Sequence, residues 1–245
     1  MTVVLPDATL PDGALPEGAQ VIDAVIEGRA VRFCVADAGD KIQRKHAQGK
    51  FWERDEMAVM AAHFSPGGTF VDIGANVGNH TLFAALFMGA NVVAFEPNPP
   101  AIALLRANVA LNGLGDRVDL THLGWGLSDA EGAGFSTVTK RANLGATRLV
   151  AGGGAIPVRT GDAMLGGRPV DFIKLDIEGM EMQALHGLSA TIAAHRPPVF
   201  LELDHENLPA FRDWLAATNY VIAHEGPRYL ANQDLLVLPK EKKNA

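Results

Sequence analysis

Residues 70–81 read FVDIGANVGNHT, and VVAFEPN follows at 92–98. An apolar strand runs into a glycine-bearing turn, a helix follows, and a second strand ends on Glu96. That succession is how an open α/β sheet grips the nucleoside of a cofactor at the carboxyl ends of its strands. Gly74 and Gly78 can take positive φ and let the backbone approach a ligand closely. A dinucleotide fingerprint would set three glycines as G-x-G-x-x-G, to seat a pyrophosphate on the helix N-terminus. Here Asn76 and Asn79 occupy the second and third glycine positions, so a buried diphosphate is poorly served.

Asp72, just before the turn, repels phosphate and suits a ligand with an ammonium group. Glu96, at the tip of the second strand, is placed to accept hydrogen bonds from both ribose hydroxyls. Ribose, a cationic amino-acid end and no phosphate together describe S-adenosylmethionine. The candidate cofactor contacts are Asp72, Gly74, Asn76, Gly78, Thr81, Glu96, Asn98 and Trp125. The bland alternative is a tight strand–helix turn that holds nothing, with the Trp125 indole as simple packing.

The rest of the chain continues the same rhythm. Strands are expected over 70–74, 92–96, 118–122, 171–176, 199–203, 220–224 and 234–238, with helices over 79–88, from Pro99, over 181–194 and over 208–217. Alternating strands and helices imply a doubly wound, mostly parallel seven-stranded sheet. The last two strands lie too close in sequence for a helical crossover, so they should pair antiparallel. Residues 1–65 read as an N-terminal extension on the core: a proline-spaced arm, a hairpin turning near Gly28, and a helix over 53–64. The main domain is then 66–245. Its glycine-rich segment 129–168 breaks the pattern and reads either as a hairpin with a mobile loop over the site or as a surface excursion.

The fourth strand delivers Lys174, Asp176 and Glu178 on one side of the sheet, and the fifth delivers Glu202 followed by His205. Methyl transfer is an in-line displacement, so an enzyme must align the acceptor and take its proton. Glu178, Glu202 and His205 are the candidate bases. Asp176 belongs beside donor and acceptor, and Lys174 either joins it or braces the sheet as an internal ion pair. Asp176, Glu178 and Glu202 could equally hold Mg²⁺ through oxygen, though no dense metal motif favours it. His80 and His122 read as packing or rim residues. Asn143 reads as an acceptor contact or a turn former.

The runs VDIGANVGNHT, FEPNP, DFIKLDIEGMEMQALHG and QDLLVLP resemble the FkbM-like class I methyltransferases. The resemblance spans roughly residues 50–240 and implies an S-adenosylmethionine-dependent enzyme with a Rossmann-like fold. It also implies that the IKxDxEG motif, here Lys174, Asp176 and Glu178, lines the active site. Several family members methylate hydroxyls of sugars or natural products. An O-methyltransferase acting on a small-molecule acceptor is therefore the leading expectation. N-methylation, an NAD-dependent oxidoreductase and a non-catalytic cofactor-binding module are the alternatives.

Bulk properties agree with that reading. The chain has 245 residues, with 48% hydrophobic and 20% charged, enough apolar material for a sizeable core. A formal net charge of −7 argues against a broad nucleic-acid surface. The short basic clusters Lys41–Lys50 and Lys240–Lys243 suit a solvated face or tail. No run is apolar enough to cross a membrane, and no leader peptide is evident. The single cysteine, Cys34, reads as a buried structural thiol and fits a reducing compartment. The expected setting is cytoplasmic. A homo-oligomer is compatible with all of this, and the sequence is silent on it.

Overall fold

The computed structural model describes residues 15–140 and 143–240. Most of the proline-spaced arm, residues 1–14, and most of the terminal lysine cluster, 241–245, lie outside it. β1 (Gln20–Ile26) and β2 (Arg29–Val35) pair antiparallel, and both turn residues, Glu27 and Gly28, take positive φ. That two-residue turn matches the natural twist of paired strands. α1 (Lys41–His46) exposes Lys41 and Arg44 on a solvated face, as expected for the basic cluster, and buries Gln43 and His46. Asp40 caps it by accepting the N–H groups of Ile42 and Gln43, and Arg44, Lys45 and His46 crowd its last turn, which complements the helix dipole. α2 (Arg54–Ala62) buries Met57 and Met60.

The main sheet begins with β3 (Thr69–Ile73). α3 (Asn79–Phe83) runs on as a π-helical turn over Ala84–Met88 and leads to β4 (Asn91–Phe95), α4 (Pro99–Leu111) and β5 (Val118–Asp119). β5 stops three residues earlier than the sequence suggests. Asp119 accepts both the N–H and the hydroxyl of Thr121, a local turn that competes with the ladder.

β6 (Gly126–Leu127), β7 (Gly132–Lys140), β8 (Asn143–Ala151) and β9 (Ile156–Arg159) form a second sheet, in the order β6-β9-β7-β8. The glycine-rich segment thus contains the expected hairpin, β7–β8, as the edge of a small sheet. α5 (Gly161–Leu165) returns the chain to the core. The remaining elements are β10 (Phe172–Leu175), α6 (Glu181–Gly187), α7 (Ser189–His195), β11 (Val199–Asp204), a 3₁₀ turn at His205–Asn207, α8 (Leu208–Thr218), β12 (Tyr220–Arg228) and β13 (Asn232–Pro239). The single helix expected over 181–194 is two. Leu188, fully buried at φ −106°, breaks it. Gly187 lies so near the β6 end that a Cβ there would sit 2.1 Å from the Ser128 carbonyl oxygen.

The seven-stranded sheet has the order β12-β13-β11-β10-β3-β4-β5. β11, β10, β3, β4 and β5 are parallel, and β13 runs antiparallel between β11 and β12. This is the mostly parallel, Rossmann-like sheet that the sequence implies. Strand alternation sorts its side chains onto two faces. Val71, Ile73, Ile173, Leu175, Leu201 and Val237 pack under α6, α7 and α8. Phe70, Phe172, Phe200 and Leu236 face the other way, under the hairpin and α2, against Val31, Phe33, Met57 and Met60.

That second face changes character along the strands. Phe70 and Phe172 are paired in register, their rings stacked 5.2 Å apart. One pleat on, in the same register, Asp72 faces Lys174. Lys174 Nζ lies 3.2 Å from Asp72 Oδ1 and 3.4 Å from Asp176 Oδ2, and it donates to the Gly74 carbonyl at 2.9 Å. Burial alone would lower the lysine pKa. Asp72 and Asp176 outweigh burial and raise it. Removing one partner of such a pair strands the other charge, at about 3–5 kcal/mol. Lys174→Met is therefore expected to lower unfolding free energy by about that amount in urea titrations. Adding Asp72→Asn should recover much of the loss.

Candidate active site

Two cavities open at the carboxyl ends of the parallel strands. The first lies between the β3 and β4 ends and the β6 edge, with Glu96, Trp125 and Ile177 on its walls. The second lies on the hairpin side, among Trp52, Glu53, His80, Lys174, Glu202 and Tyr229. Gly74, Asn76, Asp176 and Glu178 line both, so the two cavities adjoin.

The turn after β3 is built by positive φ at Gly74, Asn76 and Gly78. At Gly74 a Cβ would fall 1.9 Å from the Asp176 carbonyl oxygen. Glycine is thus required by the backbone that follows β10, and Gly74 lines both cavities as well. Gly74 and Ala75 both donate their N–H groups to the Phe95 carbonyl, fixing the turn against β4. Glu96 Oε2 accepts the Asn76 N–H and Oε1 the Asn98 N–H, each at 2.8 Å. Each oxygen keeps a lone pair, and the carboxyl lines the cavity. Burial pushes its pKa up to about 7, against the two backbone donors that pull it down. Trp125 forms another wall, with the Arg159 guanidinium 5.2 Å from its ring centre.

These residues fit the donor that the sequence implies. Glu96 has acceptor capacity for ribose hydroxyls, Trp125 and Phe95 offer aromatic surface, and Asn76 Oδ1 is a buried acceptor without a partner. Other expected contacts fall elsewhere. Asp72 is wholly buried and does hold an ammonium, but that of Lys174. Thr81 is buried behind it, donating to Asp72 Oδ2 at 2.6 Å. Gly78 packs against Leu105. Asn98 serves through its backbone N–H. None of Asp72, Gly78, Thr81 and Asn98 lines either cavity.

Lys174, Asp176, Glu178 and Glu202 converge on the second cavity. Glu202 is paired in register with Asp234, and Asn232 donates to its Oε1. Burial first, then Asp176, Asp234, Glu178 and Glu53, push the Glu202 pKa up to about 9. His205 does not join them. The chain turns away in the 3₁₀ turn after Asp204, and His205 lines neither cavity. Asn143 opens β8, and its side chain lies outside the described residues. No described residue of 129–168 lines either cavity. Among the described residues, no three of His, Cys, Asp and Glu are grouped to hold a metal ion, and no helix is long and apolar enough to cross a membrane.

The wall residues of the second cavity that the sequence reading did not assign to a site include Trp52, Glu53, Tyr229 and Asn232. His80, expected as packing or rim, lines the second cavity too. Glu53 left a faint trace, since it precedes the helical periodicity without being a good cap. It stands at the α2 N-terminus with φ 58° and makes no side-chain cap bond. His122 and Cys34 are packing residues as expected. His122 stacks on Phe95 at 4.9 Å, and Cys34 is buried, its thiol pushed up to about 11 by desolvation.

The model of the methyltransferase FkbM domain matches residues 72–222. The chain belongs to the FkbM methyltransferase family. It is an S-adenosylmethionine-dependent enzyme, which displaces the oxidoreductase and non-catalytic readings. It is 30% identical over 174 residues to the hexuronic acid methyltransferase AglP of Haloferax volcanii, covering 68% of this chain and 67% of that one. Over 55 residues it is 47% identical to the 31-O-demethyl-FK506 methyltransferase FkbM of Streptomyces tacrolimicus, covering 22% of this chain and 21% of that one. The crystal structure of methyltransferase FkbM from Methylobacillus flagellatus superposes with a TM-score of 0.53 at 21% identity. That match covers 71% of this chain and 44% of the other, so the chain spans less than half of that protein, and the likeness is one of fold.

A carboxyl with a pKa near 7 is a stronger acceptor for ribose hydroxyls in its ionised form, above that pH. Affinity for S-adenosylhomocysteine is expected to fall as pH drops from 8 to 6, by no more than about tenfold per unit for one proton. Calorimetry on wild type and on Glu96→Gln checks this. The variant should bind more weakly at pH 8 and lose the pH dependence.

Proposed function

We propose that this enzyme methylates a hydroxyl of a sugar or another small metabolite, with the donor in the Glu96 cavity and the acceptor in the Glu202 cavity. The observation that carries the reading is the junction of the two cavities at Gly74, Asn76, Asp176 and Glu178. A donor and an acceptor bound on either side would meet there. The names of the two curated relatives, one a hexuronic acid methyltransferase and one acting at a 31-O position, support a hydroxylated small acceptor.

Bound S-adenosylmethionine supplies an electrophilic methyl carbon on a sulfonium sulfur. The chain's own residues hold and align. Glu96 and Asn76 offer acceptors to the donor's hydroxyl and ammonium groups. Asp176, set 3.4 Å from the Lys174 ammonium, stands at the junction and orients the acceptor hydroxyl. Glu202 takes the hydroxyl proton. Its carboxyl, pushed up to about 9, is neutral below that pH and is the stronger base once ionised. Cationic charge arriving in the cavity favours its ionised form.

The test is a panel of sugars, uronic acids and hydroxylated natural products incubated with the donor and read by mass spectrometry for one added methyl group. Turnover should climb from pH 7 toward 9. Glu202→Gln should abolish that limb and cost about 10²-fold or more in kcat, while S-adenosylhomocysteine affinity stays near wild type. A methylated product with the same pH profile in the variant would sink the assignment of Glu202. Methyl found on nitrogen across the panel would sink the hydroxyl acceptor.

A further inference from the structure

Among the described residues, the second cavity carries the carboxyls of Glu53, Asp176 and Glu202, with Asp234 beside Glu202, and it has two aromatic walls. The cations described there are Lys174, already held by Asp72 and Asp176, and Lys41 on the exposed rim. Trp52 and Tyr229 line the same space. Aromatic faces set among carboxylates attract an organic ammonium, through both the ring quadrupole and the charge.

Glu53 is the most distinctive member. Its backbone sits in the left-handed region, uncommon for a residue with a side chain. It stands where a helix cap would, yet its carboxyl caps nothing and lines the cavity instead. Beside it, His80 Nε2 is buried without a hydrogen-bond partner. It lies 3.7 Å from Glu53 Oε2, too far for a bond, in a side chain only 7% exposed. An orphaned buried nitrogen next to a carboxylate, both lining a cavity, marks room for a group that bonds to them. Burial, reinforced by Lys174, holds the His80 pKa near 3, so the imidazole is neutral and brings no positive charge to Glu53. Burial, then Asp176 and Asp234, push Glu53 up to about 8, as befits a carboxyl short of a cation.

We propose that the acceptor carries a protonated amine near the hydroxyl that receives the methyl, as in an amino sugar, and that Glu53 is the counter-ion of that amine. This rests on the reading of the second cavity as the acceptor site. A protonated amine has no lone pair to attack with, so it anchors the acceptor and the hydroxyl reacts. The hydroxyl oxygen gains the methyl carbon as the sulfur–methyl bond breaks, its proton passes to Glu202, and the ammonium is unchanged. A uronate would bring a fifth carboxylate into the cavity, so this acceptor differs in charge from the acidic sugar for which the Haloferax relative is named.

The experiment is calorimetric titration of the full chain, loaded with S-adenosylhomocysteine at pH 7, with D-glucosamine, D-glucose and D-glucuronate in turn. Glucosamine should bind about five- to tenfold more tightly than glucose, the scale of one partly desolvated ion pair. Glucuronate should bind most weakly. Glu53→Gln should bring glucosamine to the glucose level while leaving S-adenosylhomocysteine affinity unchanged, which also reports that the variant is folded. Glucuronate binding as well as glucosamine, or no preference among the three on wild type, would overturn the proposal. So would a preference that survives in Glu53→Gln. Failure of wild type to bind S-adenosylhomocysteine would instead count against the donor cavity, and is read before any sugar is added.

Discussion

A single ammonium organises the working end of this enzyme. Lys174 sits at the carboxyl end of β10, buried, between Asp72 of β3 and Asp176 just beyond its own strand, and it also bonds the carbonyl of Gly74. Those four groups belong to the two central strands and the turns that follow them. A charge this deep is tolerable only when it is paired and hydrogen-bonded on several sides. Here the pairing spans the ladder, so the turn after β3 and the Asp176 carboxylate, both shared by the two cavities, are tied to one point. Among the described residues, the outer carboxyls Glu53 and Glu202 make no ion pair with a lysine or arginine, and both have raised pKa values.

The sheet's two faces divide the labour. The face under α6, α7 and α8 is apolar along its length from Val71 to Val237. The opposite face begins as a stack of phenylalanines and ends as a row of charges, Asp72, Lys174 and Glu202, one or two pleats further on. Alternation alone puts those charges on the side that the N-terminal hairpin and α2 cover. The extension therefore buries the apolar half of that face and walls the polar half.

Much of the sheet was legible because its information is local. Short, largely apolar segments such as TFVDI and FIKL, each interrupted by one charge, announce buried strands, and the spacing of β12 and β13 announces antiparallel pairing. Glu96 was legible for the same reason, since a strand end fixes where its side chain goes. The failures share a different cause. Asp72 looks like a ligand contact until its partner arrives from a hundred residues away. His205 follows Glu202 closely in sequence, and a single 3₁₀ turn removes it from the cavity. Trp52, Glu53, Tyr229 and Asn232 come from separate segments and meet only in space, so no spacing rule marks them. The short β5 and the divided helix at Leu188 were decided by an Asp119 side chain and by a glycine pressed against a neighbouring backbone.

Glu53 and Trp52 precede the segment that the family model matches, residues 72–222, and Tyr229 and Asn232 follow it. The donor turn, Glu96, Asp176 and Glu202 all lie inside. Inheritance can thus act on the two halves of the site separately. The shared segment keeps the chemistry, while the flanking hairpin, helix and terminal strands are free to diverge with little effect on donor binding. A lineage could exchange one acceptor for another by remodelling the chain ends alone, and relatives with nearly identical central motifs need not share a substrate.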